Sequence, residues 1–194
     1  MPEVSKDELR KDIRSREFLV ARELRRAMRT PKQWTAAMIY GVHRDIFGHH
    51  FPTEAGRNRG KECNYGARAA PAPELIEGLM AQLIASIQDH LREIDSLPDN
   101  QERFELAFEF AAQDHAEMIR IHPFIDGNGR WARILTISFL FDCKYKAGVR
   151  FPPASKKEYV AALDRCIDKS APGHLAELLV TGYELALNQR CRKN

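Results

Sequence analysis

His122-Pro123-Phe124-Ile125-Asp126-Gly127-Asn128-Gly129-Arg130-Trp131-Ala132-Arg133 interrupts a chain whose apolar residues otherwise recur at helical spacing. Pro123 disfavours helical geometry in the residue before it, so a helix is expected to end near Ile121. Gly127 and Gly129 flank Asn128, and all three tolerate left-handed or tightly turned backbone. Successive amides in such a turn form a concave nest for anions. The helix that opens there points its positive dipole end into the same space. Arg130 and Arg133 are three apart and share one face of its first turn. Two guanidiniums beside an amide nest read as a polyphosphate site. Asp126 would repel phosphate without an intervening cation; a hard divalent ion, most simply Mg²⁺ shared by one carboxylate and phosphate oxygens, resolves the conflict. His122, at the mouth, titrates near neutral pH and is suited to take a proton. Phe124 is apolar in a polar loop and is expected to anchor it in the core. Trp131, Leu135 and Phe139 lie at helical spacing and read as core.

Outward from this segment the chain reads as all-α. Ser5-Lys6-Asp7-Glu8 has capping-box form, and Leu9, Ile13, Val20, Leu24 and Met28 follow at helical intervals. Pro31 closes that helix or opens the next. Residues 33–47 carry Trp34, Met38, Val42 and Ile46 on one stripe. Further helices are expected at 73–94, 100–121, 129–146, 155–168 and 173–190. Pro98, the 122–128 segment, Pro152-Pro153 and Pro172-Gly173 mark the breaks. Between Gly48 and Pro73 the periodicity stops, with Pro52, Gly56, Gly60, Gly66, Pro71 and Pro73 punctuating an arginine-bearing stretch. It reads as one long loop or hairpin, and loops of this length are often functional.

Composition bounds the class. The 194 residues are 44% hydrophobic and 29% charged, enough for a single domain with an ordinary core. No apolar run approaches the ~20 residues that span a bilayer. The first thirty residues lack the apolar stretch of a signal peptide. A soluble, cytoplasmic protein is expected, with no membrane partner. The net charge of +3 is slight and resides in residues 1–30, without the dense basic stripe and interleaved aromatics of a nucleic-acid binder. Cys63, Cys143, Cys166 and Cys191 are widely spaced, as expected of reduced thiols and not of a zinc or disulfide framework. His115 and His122 are seven apart, but no third nitrogen or sulfur ligand lies near them in sequence. Phe47-Gly48-His49-His50 suggests metal at first sight, but the adjacent histidines after a helix read as surface or capping groups.

The central segment resembles the signature of the Fic family, His-x-Phe-x-(Asp/Glu)-Gly-Asn-Gly-Arg-x-x-Arg, and matches it at every specified position. Chance agreement at eight near-fixed positions is on the order of 10⁻¹⁰ per start site. Tyr40-Gly-Val-His43-Arg-Asp-Ile-Phe47-Gly48 is similar to the family's helix before the upstream loop. Ala55-Gly56-Arg57-Asn58-Arg59 is similar to its Trp-Ala-Gly-x-x-Arg segment, with Glu54 where tryptophan is usual. Glu158-Tyr159-Val-Ala-Ala-Leu163 resembles the stretch after the active site. The likeness covers roughly residues 33–168, which suggests a division into an N-terminal helical extension (1–32), a Fic core (33–168) and a C-terminal helix (169–194).

The resemblance implies a helical fold with a short β-hairpin flap near the active site, at about residues 57–70, that clamps the target by strand pairing. It implies a nucleotidyltransferase that moves AMP from ATP onto a Ser, Thr or Tyr hydroxyl of a protein target and releases pyrophosphate. Carried over by position, His122 is the base and Asp126 the Mg²⁺ ligand. Gly127, Asn128 and Gly129 bind phosphates through their amides, with the Asn128 side chain assisting, and Arg130 and Arg133 bind the distal phosphates. Relatives on the same scaffold transfer UMP, phosphocholine or phosphate, and a toxin of a toxin–antitoxin pair is a further alternative. Many members carry an inhibitory (Ser/Thr)-x-x-x-Glu-(Gly/Asn) helix whose Glu pairs with the motif's second arginine. Here the only Glu before Gly or Asn is Glu77, preceded four residues earlier by Pro73. No internal inhibitor of that pattern is recognisable, so control is expected from outside the chain: either a small antitoxin-like partner supplies the glutamate in trans, or activity is limited by target access.

Overall fold

The amphipathic stripes become helices, and polar residues at their starts close them. The computed structural model describes residues 34–49, 51–151 and 155–191. The helix expected between Ser5 and Met28, and the basic excess of residues 1–30, lie outside them. Six α-helices form among the described residues: α1 (Ala36–Phe47), α2 (Ile76–Ser96), α3 (Gln101–Ile121), α4 (Asn128–Asp142), α5 (Lys156–Lys169) and α6 (Gly173–Cys191). Thr35, Asn100 and Ser155 cap α1, α3 and α5, their side-chain oxygens accepting from the amides of Met38, Arg103 and Glu158. Each such cap contributes ~1 kcal/mol.

Helix α3 is the pillar of the fold and packs against α2, α4, α5 and α6. Its buried residues include Ala107, Ala111, Ala112 and Ala116, small side chains that let neighbouring helices approach closely. Helix α4 is buried on most of its surface. Trp131, Leu135 and Phe139 are all within 1% of complete burial, as the spacing predicts. One long-range bond and a local clamp fix the rim. Trp34 Nε1 donates to Asp142 Oδ2 at 3.0 Å, and the buried Arg103 reaches Leu97 O and Asp95 Oδ1 to lock the α2–α3 turn.

Three expected boundaries move. The helix expected from residue 33 starts at Ala36, behind its Thr35 cap. Residues 73–75 are a 3₁₀ turn with Pro73 at its start, so α2 begins at Ile76. Helix α4 stops at Asp142 instead of continuing to 146. Lys144 takes a left-handed conformation (φ 78°), and the chain turns Tyr145 into an aromatic cluster with Phe104, Phe108 and Tyr183. The reward of burying that ring overrides local helix propensity.

The 48–73 stretch holds the β element, an antiparallel hairpin of β1 (Asn64–Tyr65) and β2 (Arg68–Ala69) with Asn64 opposite Ala69. Gly66, at φ 60°, supplies the left-handed first position that a two-residue hairpin turn needs. Arg68 ties β2 to the body by ion pairs to Asp164 and Asp168 of α5. Ala70 N donates to Cys63 O. The alternating pattern of an antiparallel ladder then directs the Asn64 N–H and C=O away from β2. β1 therefore presents an open edge at Asn64.

No helix among the described residues is long and apolar enough to cross a membrane. The four cysteines are free thiols.

Candidate active site

The segment between α3 and α4 is built around two left-handed residues. His122 caps α3 at φ 51°, and Gly127 caps α4 at φ 83°. Gly127 admits no side chain, because a Cβ there would lie 2.4 Å from Phe47 Cζ. Phe124 is fully buried, as an anchor should be. The Asn128 carboxamide is buried too, accepting from Phe124 N at 2.9 Å and donating to Phe124 O at 2.8 Å. This revises the expected role of the side chain in assisting phosphate. Both its ends brace the loop, and what Asn128 offers an anion is its main-chain amide.

Around this turn lies a cleft of about 310 Å³ lined by residues 122 and 125–130 together with Arg133. All seven predicted site residues meet there. The first amides of α4 have no partner within the helix, and they open beside the two arginines. Arg130 rests over the Phe47 ring at 4.8 Å, with its guanidinium 3.4 Å from both Asp126 carboxylate oxygens. Asp126 Oδ1 also accepts from Gly127 N. It is the only carboxylate lining the cleft, and no group of three His, Cys, Asp or Glu capable of holding a metal exists among the described residues. One half-exposed carboxylate beside an anion nest fits a hard cation whose remaining ligands are phosphate oxygens and water.

The His122 ring is oriented by its own helix. Its Nδ1 lies 3.2 Å from Ile119 O; a carbonyl only accepts, so Nδ1 carries the proton and Nε2 keeps its lone pair. Burial lowers the pKa below the ordinary 6.5, against the opposing pull of the Ile119 bond, so the neutral ring persists into mild acid. Tyr65 of β1 stacks on it, with centroids 5.7 Å apart and planes 18° apart. The hairpin therefore borders His122.

Three further residues shape the site without forming part of its signature. Arg59 is 3% exposed; its Nε donates to His122 O and its remaining guanidinium nitrogens to Lys61 O and Pro71 O. Its own amide donates to Pro123 O. One side chain thus ties both ends of the hairpin region to the His122 main chain. His43, on α1, lies against Asp126 O, and Ile125 is half exposed at the lip. Sequence reading placed Arg59 and His43 within family-like stretches but could assign neither a contact. Glu54 is exposed, so its departure from tryptophan falls on the surface, while the turn closes through Ala55 N to Phe51 O. His115 lies apart from His122. It is fully buried and its two ring nitrogens face Thr136 Oγ1 and Tyr159 OH, which removes the two-histidine metal reading.

The Fic/DOC family model matches residues 33–140. Among curated proteins, the protein adenylyltransferase Fic of Nematostella vectensis is 36% identical over 115 residues, covering 59% of this chain and 23% of that protein. That of Drosophila willistoni is 32% identical over 124 residues, 62% and 22% of the two chains. The chain thus spans less than a quarter of the length of these relatives. Among solved structures, residues 134–508 of Fic-1 from C. elegans align with a TM-score of 0.71 at 20% identity, over 97% of this chain and 52% of that one. BepC of Bartonella tribocorum, solved with bound AMPPNP, aligns at 0.64 and 18%, over 90% and 86%. These structural likenesses establish the helical fold.

Proposed function

Because the chain belongs to the Fic/DOC family, we propose that it transfers AMP from ATP to a Ser, Thr or Tyr hydroxyl of a protein target. The observation that carries this reading is the pairing of an unprotonated His122 Nε2 with an amide nest and two arginines in one cleft. The target oxygen attacks the α-phosphorus, the bond from that phosphorus to the bridging oxygen breaks, and pyrophosphate leaves. His122 Nε2 takes the hydroxyl proton as the new bond forms. The amides of Gly127, Asn128 and Gly129 face the phosphates, and Arg130 and Arg133 bind the distal ones, charge against charge. Asp126 is the residue that would hold Mg²⁺, which when bound offsets phosphate charge. The test is incubation of the purified chain and candidate protein targets with ATP labelled at the α- or the γ-phosphate. Label from the α position on protein supports AMP transfer, label from the γ position alone means phosphotransfer, and no label from either rules out ATP as the donor and the AMP-transfer reading with it.

Asp126→Ala is expected to weaken Mg²⁺-dependent ATP binding by roughly tenfold or more, as removal of a metal's protein support does. Calorimetric titrations with and without Mg²⁺ check this; equal Mg²⁺-ATP affinity in the variant would send the search to another ligand.

Target recognition is assigned to the β1 edge, where strand addition reads main-chain groups. Asn64→Pro removes an outward donor while sparing the hairpin's own bonds. Its KM for protein targets should rise while ATP affinity holds. Unchanged kinetics toward every target would take this edge out of recognition.

Control is proposed to come from a glutamate supplied from outside these 194 residues, as by a small antitoxin-like partner. A carboxylate pairs with a guanidinium in the same bidentate way as phosphate, so it would compete for Arg133.

A further inference from the structure

His43 lies eighty-three residues before Asp126 in sequence, yet its Nε2 is 3.0 Å from Asp126 O. On the other side of the ring, Gly56 N donates to Nδ1 at 3.0 Å. An amide nitrogen only donates, so Nδ1 holds a lone pair and Nε2 carries the proton. The ring is 1% exposed and stacked on Phe124 at 3.7 Å and 19°, with Phe47 at 4.6 Å on its flank. It has one orientation and one tautomer.

A trans peptide points its C=O and N–H in opposite directions. A bond that draws Asp126 O inward therefore turns the Gly127 N–H outward. That amide is on the cleft side, where it now meets the Asp126 carboxylate. Turned over, the same peptide would present a carbonyl oxygen to phosphate, and a donor of the nest would become a repulsive acceptor. Glycine at 127 makes the alternative accessible, since it alone populates both peptide orientations freely.

We infer that His43 is a positioning residue that sets the polarity of the Asp126–Gly127 peptide, and with it the anion-binding state of the loop. Gly56 is the first link of this relay. Its φ of 74°, and a Cβ position only 2.6 Å from Tyr40 O, admit no larger residue. Its amide selects the tautomer, the tautomer makes Nε2 a donor, and the donor holds the peptide. The inference rests on the proposal that this cleft binds the phosphates of ATP.

Two substitutions separate positioning from simple support. His43→Asn keeps an acceptor near the Nδ1 position for Gly56 but cannot reach Asp126. His43→Gln carries an amide donor at about the reach of Nε2 and gives up the Gly56 bond. Each loses one hydrogen bond, so a merely structural role predicts similar losses of thermal stability and similar nucleotide binding. Positioning predicts that Mg²⁺-ATP affinity follows the Asp126 donor. His43→Asn should bind ~10-fold more weakly, as loss of one buried bond implies, and His43→Gln should stay within about threefold of the parent. Equal affinity for the two variants overturns the inference. An unaltered chain that does not bind Mg²⁺-ATP overturns the proposed function and this inference together. Should either variant fail to fold, ring ¹⁵N shifts in the unaltered chain decide. A neutral His43 protonated at Nε2, with the Gly127 amide resonance moving on addition of Mg²⁺-ATP, upholds the relay. Protonation at Nδ1, or a Gly127 amide indifferent to nucleotide, refutes it.

Discussion

Replacing His122 with Ala or Asn is expected to abolish transfer while leaving Mg²⁺-ATP affinity close to that of the parent. The imidazole is assigned to the target hydroxyl and not to the phosphates, and general-base assistance is typically worth ~10²–10⁴ in rate. His122 sits in left-handed backbone, a conformation asparagine tolerates better than alanine. The Asn variant therefore separates loss of the base from loss of loop shape. If both variants lose transfer and keep nucleotide, the base assignment stands. If they lose nucleotide affinity and turn over normally at saturation, it fails. The pH profile of the parent carries a second signature. Burial holds the His122 pKa below 6.5, and the base works in its neutral form. Transfer should then be flat through neutral pH and fall only in acid below the ordinary histidine range. A decline that begins above pH ~7 would contradict the lowered pKa.

The second large effect is expected at Arg133. This residue lies one turn into α4 and opens onto the same cleft as Asp126 and Arg130. Its charge is felt by its neighbours, since it helps to hold the pKa of the buried His115 down. Arg133→Glu exchanges an attraction for the terminal phosphate with a repulsion. Charge-assisted bonds contribute ~1.5–3 kcal/mol each, so kcat/KM for ATP should fall by ~10² or more. Arg133→Lys keeps the charge but not the planar fork, and an intermediate loss is expected. The same two variants test control. An inhibitory glutamate supplied in trans should suppress the parent and lose its hold on Arg133→Lys. Wild-type kinetics in Arg133→Glu would place the terminal phosphate elsewhere.

Much of the site was legible because its chemistry is local. Within 122–133 the glycines, the asparagine, the proline and the two arginines act through backbone geometry and helical spacing, which a linear reading resolves. The buried stripe of Trp131, Leu135 and Phe139 followed from the same spacing. The end of α4 did not, because Tyr145 leaves the helix to join rings from α3 and α6. The Asn128 side chain differs from its sequence-based expectation for a related reason. A carboxamide beside a phosphate nest looks like a ligand until the loop closes and presents it with the two main-chain atoms of Phe124.

Sequence alone determined the helical class, the position of the irregular 48–73 segment and the set of seven residues around one turn. Each depends on neighbours within a few positions, where propensity, spacing and backbone restriction operate. Tertiary structure decided which way those groups face. Arg59 reaches His122 O across 63 residues, Arg68 reaches Asp164 across 96, and His43 reaches Asp126 O across 83. Such bonds exist only after the helices have packed and brought the partners together; around Arg59 and His43, burial also removes the water that would compete for them.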